Sequence, residues 1–155
     1  MSGRILSEIK QNKPFTTASL EAFINVLRTA EALSRPEMEL LKGHGLSPTQ
    51  YNVLRILRGA AQEGLACREI GERMVKFDPD VTRLLDRLEA RGLLTRERHK
   101  EDRRVIVSRI TDAGVALLAD LDAPIDDLHA KQLEHMGQEK IEALISLLEE
   151  ARANL

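Results

Sequence analysis

The run from residue 76 to 111 constrains this chain most, because an amphipathic helix leads directly into a charged hairpin. Asp78 and Pro79 open the helix: an aspartate is a good N-cap, and proline suits the first helical position, where its missing N–H costs nothing. Val81, Leu84, Leu85 and Leu88 recur at helical spacing as one apolar face, and Gly92 supplies the stop after Arg91. At about 100° per residue, Arg83 projects away from that face, flanked by Thr82 and Arg87. A surface helix with a solvated arginine is ordinary in isolation. Its neighbours give this one a direction.

Upstream, Leu46-Ser47-Pro48-Thr49-Gln50 starts another helix, capped by Ser47, with Tyr51, Leu54, Leu57 and Ala61 along one side. After a break at Gly64, Cys67 to Met74 predicts a short helix with Ile70 and Met74 as an apolar pair, and Val75-Lys76-Phe77 links it tightly to Asp78. Two helices so joined, the second carrying an outward arginine, fit a helix-turn-helix. Downstream, residues 93–98 and 105–110 can pair as an antiparallel hairpin around the charged tip His99-Lys100-Glu101-Asp102-Arg103-Arg104. Such a tip is either a solvated turn or, beside a helix-turn-helix, a wing that reaches phosphates or the minor groove.

The flanks describe a second task. Leu20, Phe23, Ile24, Leu27 and Ala30 recur at helical spacing, and Ser34-Arg35-Pro36-Glu37 predicts a kink or restart before Met38 to Leu41. Thr111 is a plausible N-cap for a helix carrying Val115, Leu117, Leu118 and Leu121, with a bend expected at Pro124. Gly137 separates this from a last helix striped by Ile141, Leu144, Ile145 and Leu148. A small winged helix cannot cover that much apolar face, so these helices either fold back as a bundle or meet another chain.

A chain of 155 residues is long enough to bury a core. The sequence contains neither an 18-residue apolar run nor an N-terminal signal core, so a cytoplasmic protein without a membrane partner is expected. The single cysteine rules out an intramolecular disulfide. The net charge of −2 is unfavourable for binding nucleic acid, but it is unevenly distributed: residues 66–111 carry +3 and the remainder −5.

The run Leu46 to Tyr51, the segment from Val81 to Leu94, and Asp102-Arg103-Arg104 with Ile110-Thr111 together resemble the MarR-type family of winged-helix regulators. The family wing pattern is Asp-x-Arg, five residues, then an aliphatic residue and Thr, which Asp102, Arg104, Ile110 and Thr111 match. The resemblance implies a mainly α (α+β) fold: a winged helix-turn-helix over 46–111, flanked by dimerisation helices over 16–45 and 112–155, all in one unit. It further implies a homodimer that places two recognition helices about 34 Å apart on an inverted repeat of double-stranded DNA. Repression relieved by a small ligand is the corresponding mechanism.

Arg83 is then the candidate for bidentate contact to guanine, and Thr82 and Arg87 for neighbouring contacts. Arg104 is the wing arginine, Asp102 the residue that orients it, and Arg98, Lys100 and Arg103 are candidate phosphate contacts. Asp78 and Asp80 put two carboxylates where phosphates would repel them; capping accounts for Asp78, while Asp80 either accepts from a cytosine amino group or, the favoured reading, faces a structural partner such as Arg73 or Lys76. For a small anionic or aromatic effector, His44 and Tyr51 are the residues nearest the expected crevice. Cys67, near a helix start and beside Arg68, is the candidate redox switch. His129 and His135 stand six apart, off the spacing that aligns two metal ligands on a helix, so no metal or other cofactor is expected. No nucleophile or phosphate-loop motif points to an enzyme. A winged helix used to bind a protein partner is the alternative.

Overall fold

The computed structural model describes residues 3–60 and 62–155. In chain order the elements are α1 (Ile5–Glu8), α2 (Ala18–Gly43), α3 (Pro48–Gly59), β1 (Leu65–Ala66), α4 (Cys67–Arg73), α5 (Val81–Ala90), β2 (Leu94–Arg98), β3 (Ile106–Ile110), α6 (Asp112–Leu133), a 3-10 turn (Glu134–Met136) and α7 (Gln138–Arg152). The fold is mainly helical with one small antiparallel sheet ordered β1-β3-β2. Strands β2 and β3 pair as the antiparallel hairpin that the sequence predicts, in a register that sets Leu94 opposite Ile110 and Arg98 opposite Ile106. Strand β1 is an addition: Leu65 pairs with Ser108 and Ala66 with Val107. Two residues are too few to show an alternation.

Helix α3 is the hub. Val53, Leu54 and Leu57 are fully buried, and the helix packs against α2, α4, α5, α6 and β3. Leu41, Ile70, Leu85, Leu88, Leu94, Leu118 and Leu121 complete the core around it. Ala61, expected on the apolar side of α3, lies outside the described residues.

The ends of these helices are fixed by local chemistry. Ser47 Oγ accepts from the Gln50 amide at 3.2 Å while Gln50 Oε1 accepts from the Ser47 amide at 3.0 Å, a complete capping box. Thr111 caps α6 through the Gly114 amide at 3.2 Å and donates its hydroxyl proton to the Gly92 carbonyl at 2.6 Å. One side chain thus joins the end of α5 to the start of α6. Gly92 has φ +69°, a conformation that favours glycine. Gly114 is required by space: a Cβ there would lie 2.4 Å from the Leu93 carbonyl oxygen.

Three expectations need correction. Helix α5 begins at Val81 and its N-cap is Asp80, whose carboxylate accepts from the Arg83 amide at 3.1 Å. Asp78 instead accepts from the Asp80 amide at 2.8 Å, so Pro79 sits inside a turn, and the connection between α4 and α5 runs over 74–80. Helix α2 runs unbroken past Pro36. Proline there removes the donor to one carbonyl only, and Gln132 Nε2 from α6 supports the same turn by donating to the Leu33 carbonyl at 2.9 Å. Pro124, where a bend is expected, lies inside α6, which continues through it to Leu133.

Helix α6 buries Leu118, Leu121 and Ile125, but α7 and the first half of α2 leave apolar side chains open. Among the described residues α7 has no buried side chain, and Leu20, Phe23, Val26 and Leu27 of α2 are exposed together with Ile145 and Leu147 of α7.

Candidate nucleic-acid interface

Leu84, Leu85 and Leu88 turn one face of α5 into the core, leaving Thr82, Arg83 and Arg87 exposed on the remainder. Among the described residues neither Arg83 nor Arg87 has a salt-bridge partner. Both guanidiniums are available to an external acceptor. The cap formed by Asp80 accounts for a carboxylate at this helix end without a partner in the groove: it satisfies an amide that the first turn leaves free.

The wing is ordered by its own polar groups. The His99 amide donates to the Val105 carbonyl at 2.8 Å, and the Val105 amide to the Asp102 carbonyl at 3.0 Å. Asp102 Oδ1 accepts from both the amide and Nε of Arg104, at 3.0 and 3.2 Å. The Arg104 side chain nevertheless remains 93% exposed, held at its base and free at its end. Arg98 donates to the Arg103 carbonyl at 3.0 Å, which closes the tip from the strand side. Lys100 and Arg103 stand exposed beside it.

Sequence reasoning missed the side chains that fasten these parts together. Arg96 of β2 reaches Asp86 at 2.6 Å and Glu89 at 2.9 Å, both on α5. Hydrogen bonding to Glu89 is the main reason its pKa is raised, against the opposing effect of burial. The signal was present: Arg96 is two residues from buried Leu94, on the inward phase of a strand, where an unpaired charge would be costly. Arg91, at the end of α5, donates to the Gly45 and His44 carbonyls at the α2–α3 corner. Arg58 of α3 grips Asp122 of α6 with two hydrogen bonds of 2.8 and 2.9 Å. That pairing raises the Arg58 pKa and holds the Asp122 carboxyl below its ordinary range.

A crevice of about 550 Å³ opens between α2, α3 and the α4–α5 connection. Tyr51 lines it, with its ring 5.8 Å below the Arg55 guanidinium, and Glu37, Asn52 and Lys76 supply other polar groups. The structure does not bring His44 to this crevice: it is exposed at the end of α2, with Nδ1 3.2 Å from the Leu40 carbonyl. Cys67 is half-buried, its sulfur 3.7 Å from Thr82 Oγ1, while Arg68 pairs with Glu72 at 2.8 Å. The expected arginine beside the thiol is therefore committed elsewhere. Among the described residues no cluster of three or more potential ligands could hold a metal ion, and no helix is long and apolar enough to cross a membrane.

Comparison with known proteins decides the family. The sequence model of the MarR family matches residues 44–105. A MarR transcription factor of known structure from Planctomyces limnophilus is 41% identical, with 87% of this chain and 98% of that one covered and a TM-score of 0.68. The chain belongs to the MarR family. Its MarR relatives include the HTH-type transcriptional regulator MhqR of Bacillus subtilis, 29% identical over 90% of this chain and 94% of that protein. The S. aureus MepR–DNA complex shares the MarR fold, with a TM-score of 0.75 over 91% of this chain and 99% of that one at 21% identity. Membership makes this chain a DNA-binding transcriptional regulator with a winged helix-turn-helix.

Proposed function

We propose that the protein is a homodimeric, sequence-specific repressor that binds an inverted-repeat operator and releases it when a small ligand occupies the α2–α3 crevice. The observation that carries this reading is the pair of unengaged arginines, Arg83 and Arg87, on an α5 braced through Arg96 to a wing whose Arg104 is free at its tip. In this scheme Arg83 makes bidentate contact to guanine, while Thr82 and Arg87 take neighbouring base or phosphate positions. Arg104, oriented by Asp102, enters the minor groove or meets its phosphates, with Arg98, Lys100 and Arg103 along the backbone. Residues 46–111 read DNA, and 16–45 with 112–155 form the dimer through the apolar faces exposed on α2 and α7. The reading makes the protein cytoplasmic and non-enzymatic.

Arg55 and Lys76 give the crevice positive charge and Tyr51 an aromatic wall, which suits a small anionic or aromatic effector. An effector that binds better to a dimer with DNA-incompatible spacing shifts the population away from the operator. The test is selection of sites from a random duplex library, followed by fluorescence anisotropy across salt concentrations. An enriched palindrome is expected, bound by one dimer with affinity that falls steeply as salt rises. Arg83→Ala is expected to weaken it by about 1 to 3 kcal/mol. Weak, uniform binding with no enrichment would overturn the proposal.

A further inference from the structure

The connection between α4 and α5 carries a second feature turned toward solvent. Val75 is 91% exposed and Phe77 84%, in a chain with only three phenylalanines, one tyrosine and no tryptophan. The exposure is not slackness. Met74 packs against the core, the Val75 amide donates to Asn52 Oδ1 at 2.9 Å, and Asp78 and Asp80 fasten the following turn to the start of α5. Phe77 is thus held in water between two anchors, immediately before the helix that carries Arg83.

What covers it is indicated by its surroundings. The ring lies next to Lys76 and follows Arg73, both exposed, so a partner must accept positive charge beside an apolar contact. Asp78 and Asp80 each turn one carboxylate oxygen back onto a backbone amide of the turn and helix start, which fixes where these charges stand. Duplex DNA offers this combination: a phosphate row flanks the thymine C5-methyl groups that project into the major groove, and phenylalanine is suited to contact them. We infer that Phe77 is a specificity-determining contact to a thymine methyl group in each half-site, with Lys76 on the adjacent phosphate. The inference rests on the regulator reading above and adds a position that its arginines do not read.

Replacing operator thymines one at a time by deoxyuridine removes the methyl group and leaves base pairing intact. With the selected operator and the full-length protein, anisotropy is expected to show a loss of about fourfold for each single replacement at one symmetric pair of thymines, the size of one buried methyl group. Phe77→Ala should bind the all-thymine operator more weakly by at least that factor and be indifferent to deoxyuridine at that pair. Phe77→Leu should retain part of the sensitivity. A wild-type profile insensitive to deoxyuridine, or one that Phe77→Ala leaves unchanged, would overturn the inference while leaving the regulator reading in place. A shift in dimer mass with Phe77→Ala and an unaltered deoxyuridine profile would assign the ring to a second copy of the chain instead. Failure to select any operator would overturn both readings.

Discussion

The winged helix-turn-helix and the outer faces of α2 and α7 treat their apolar residues in opposite ways. In α5, Leu88 is fully buried and the charged positions face out; in α7 no residue of the apolar stripe is buried, Ile145 is 49% exposed, and Leu147 beside it is 64% exposed. The first region completes its core within one chain and turns outward a surface of arginines suited to an anion. The second leaves its apolar area unfinished, which is what a helix looks like when the other half of its core belongs to another molecule. Charge turned outward and apolar surface left open suit two interfaces of different kinds, and the bidentate pair of Arg58 with Asp122 joins α3, on which α5 packs, to α6, which packs on α2.

Breaking the open surface should have the largest effect. Phe23→Asp combined with Leu27→Asp is expected to convert dimer to monomer by analytical ultracentrifugation. Operator affinity should fall by on the order of 100-fold, because two linked half-site contacts become one. An unchanged dimer would show that these exposed side chains do not form the interface.

An intermediate effect is expected inside the completed region. Arg96→Ala leaves Asp86 and Glu89 without their common partner and frees the wing strand from α5. Stability should drop by about 1 kcal/mol. Hydrogen exchange of the amides in 94–98 and 106–110 should quicken while those of α3 stay protected. Equal acceleration in both would show that Arg96 serves the whole core.

The smallest effect sharpens the join between the regions. Arg58 holds the folded-state Asp122 pKa below its unfolded value, so the pair's contribution is complete above the ordinary carboxylate pKa and is lost as pH falls through the lower folded value. Thermal melts of the wild type should therefore decline below about pH 4, and Asp122→Asn should flatten part of that decline while lowering the melting temperature slightly at pH 7. Parallel acid limbs would remove Asp122 from the account.

The sequence reveals features that depend on residues a few positions apart. The Ser47 and Thr111 caps, the leucine face of α5 and the antiparallel pairing of the hairpin each rest on such short spacings, and the structure reproduces them. What it conceals is competition and distance. Asp78 and Asp80 are equally good caps on paper, and the choice turned on a carboxylate–amide turn around Pro79. Pro36 reads as a break because the supporting Gln132 lies 99 residues away. Arg58 and Asp122 are 64 residues apart, so nothing local pairs them. In the candidate site the outward arginines were legible from helical phase. The braces Arg96 and Arg91 were not, because an arginine that folds inward has the same letter as one that reaches out.

The division of labour along α5 bears on how this protein can change over evolutionary time. Arg96 takes hold of Asp86 and Glu89 on one flank, while Arg83 and Arg87 have no side-chain partner among the described residues. On the proposed reading of Arg83 and Arg87 as DNA contacts, a lineage can rewrite this pair and acquire a new target sequence without loosening the wing. Any change at Asp86, Glu89 or Arg96 must be matched by the other two. Among copies that have diverged after duplication, retargeting should run through the free pair, with the braced trio travelling as a block.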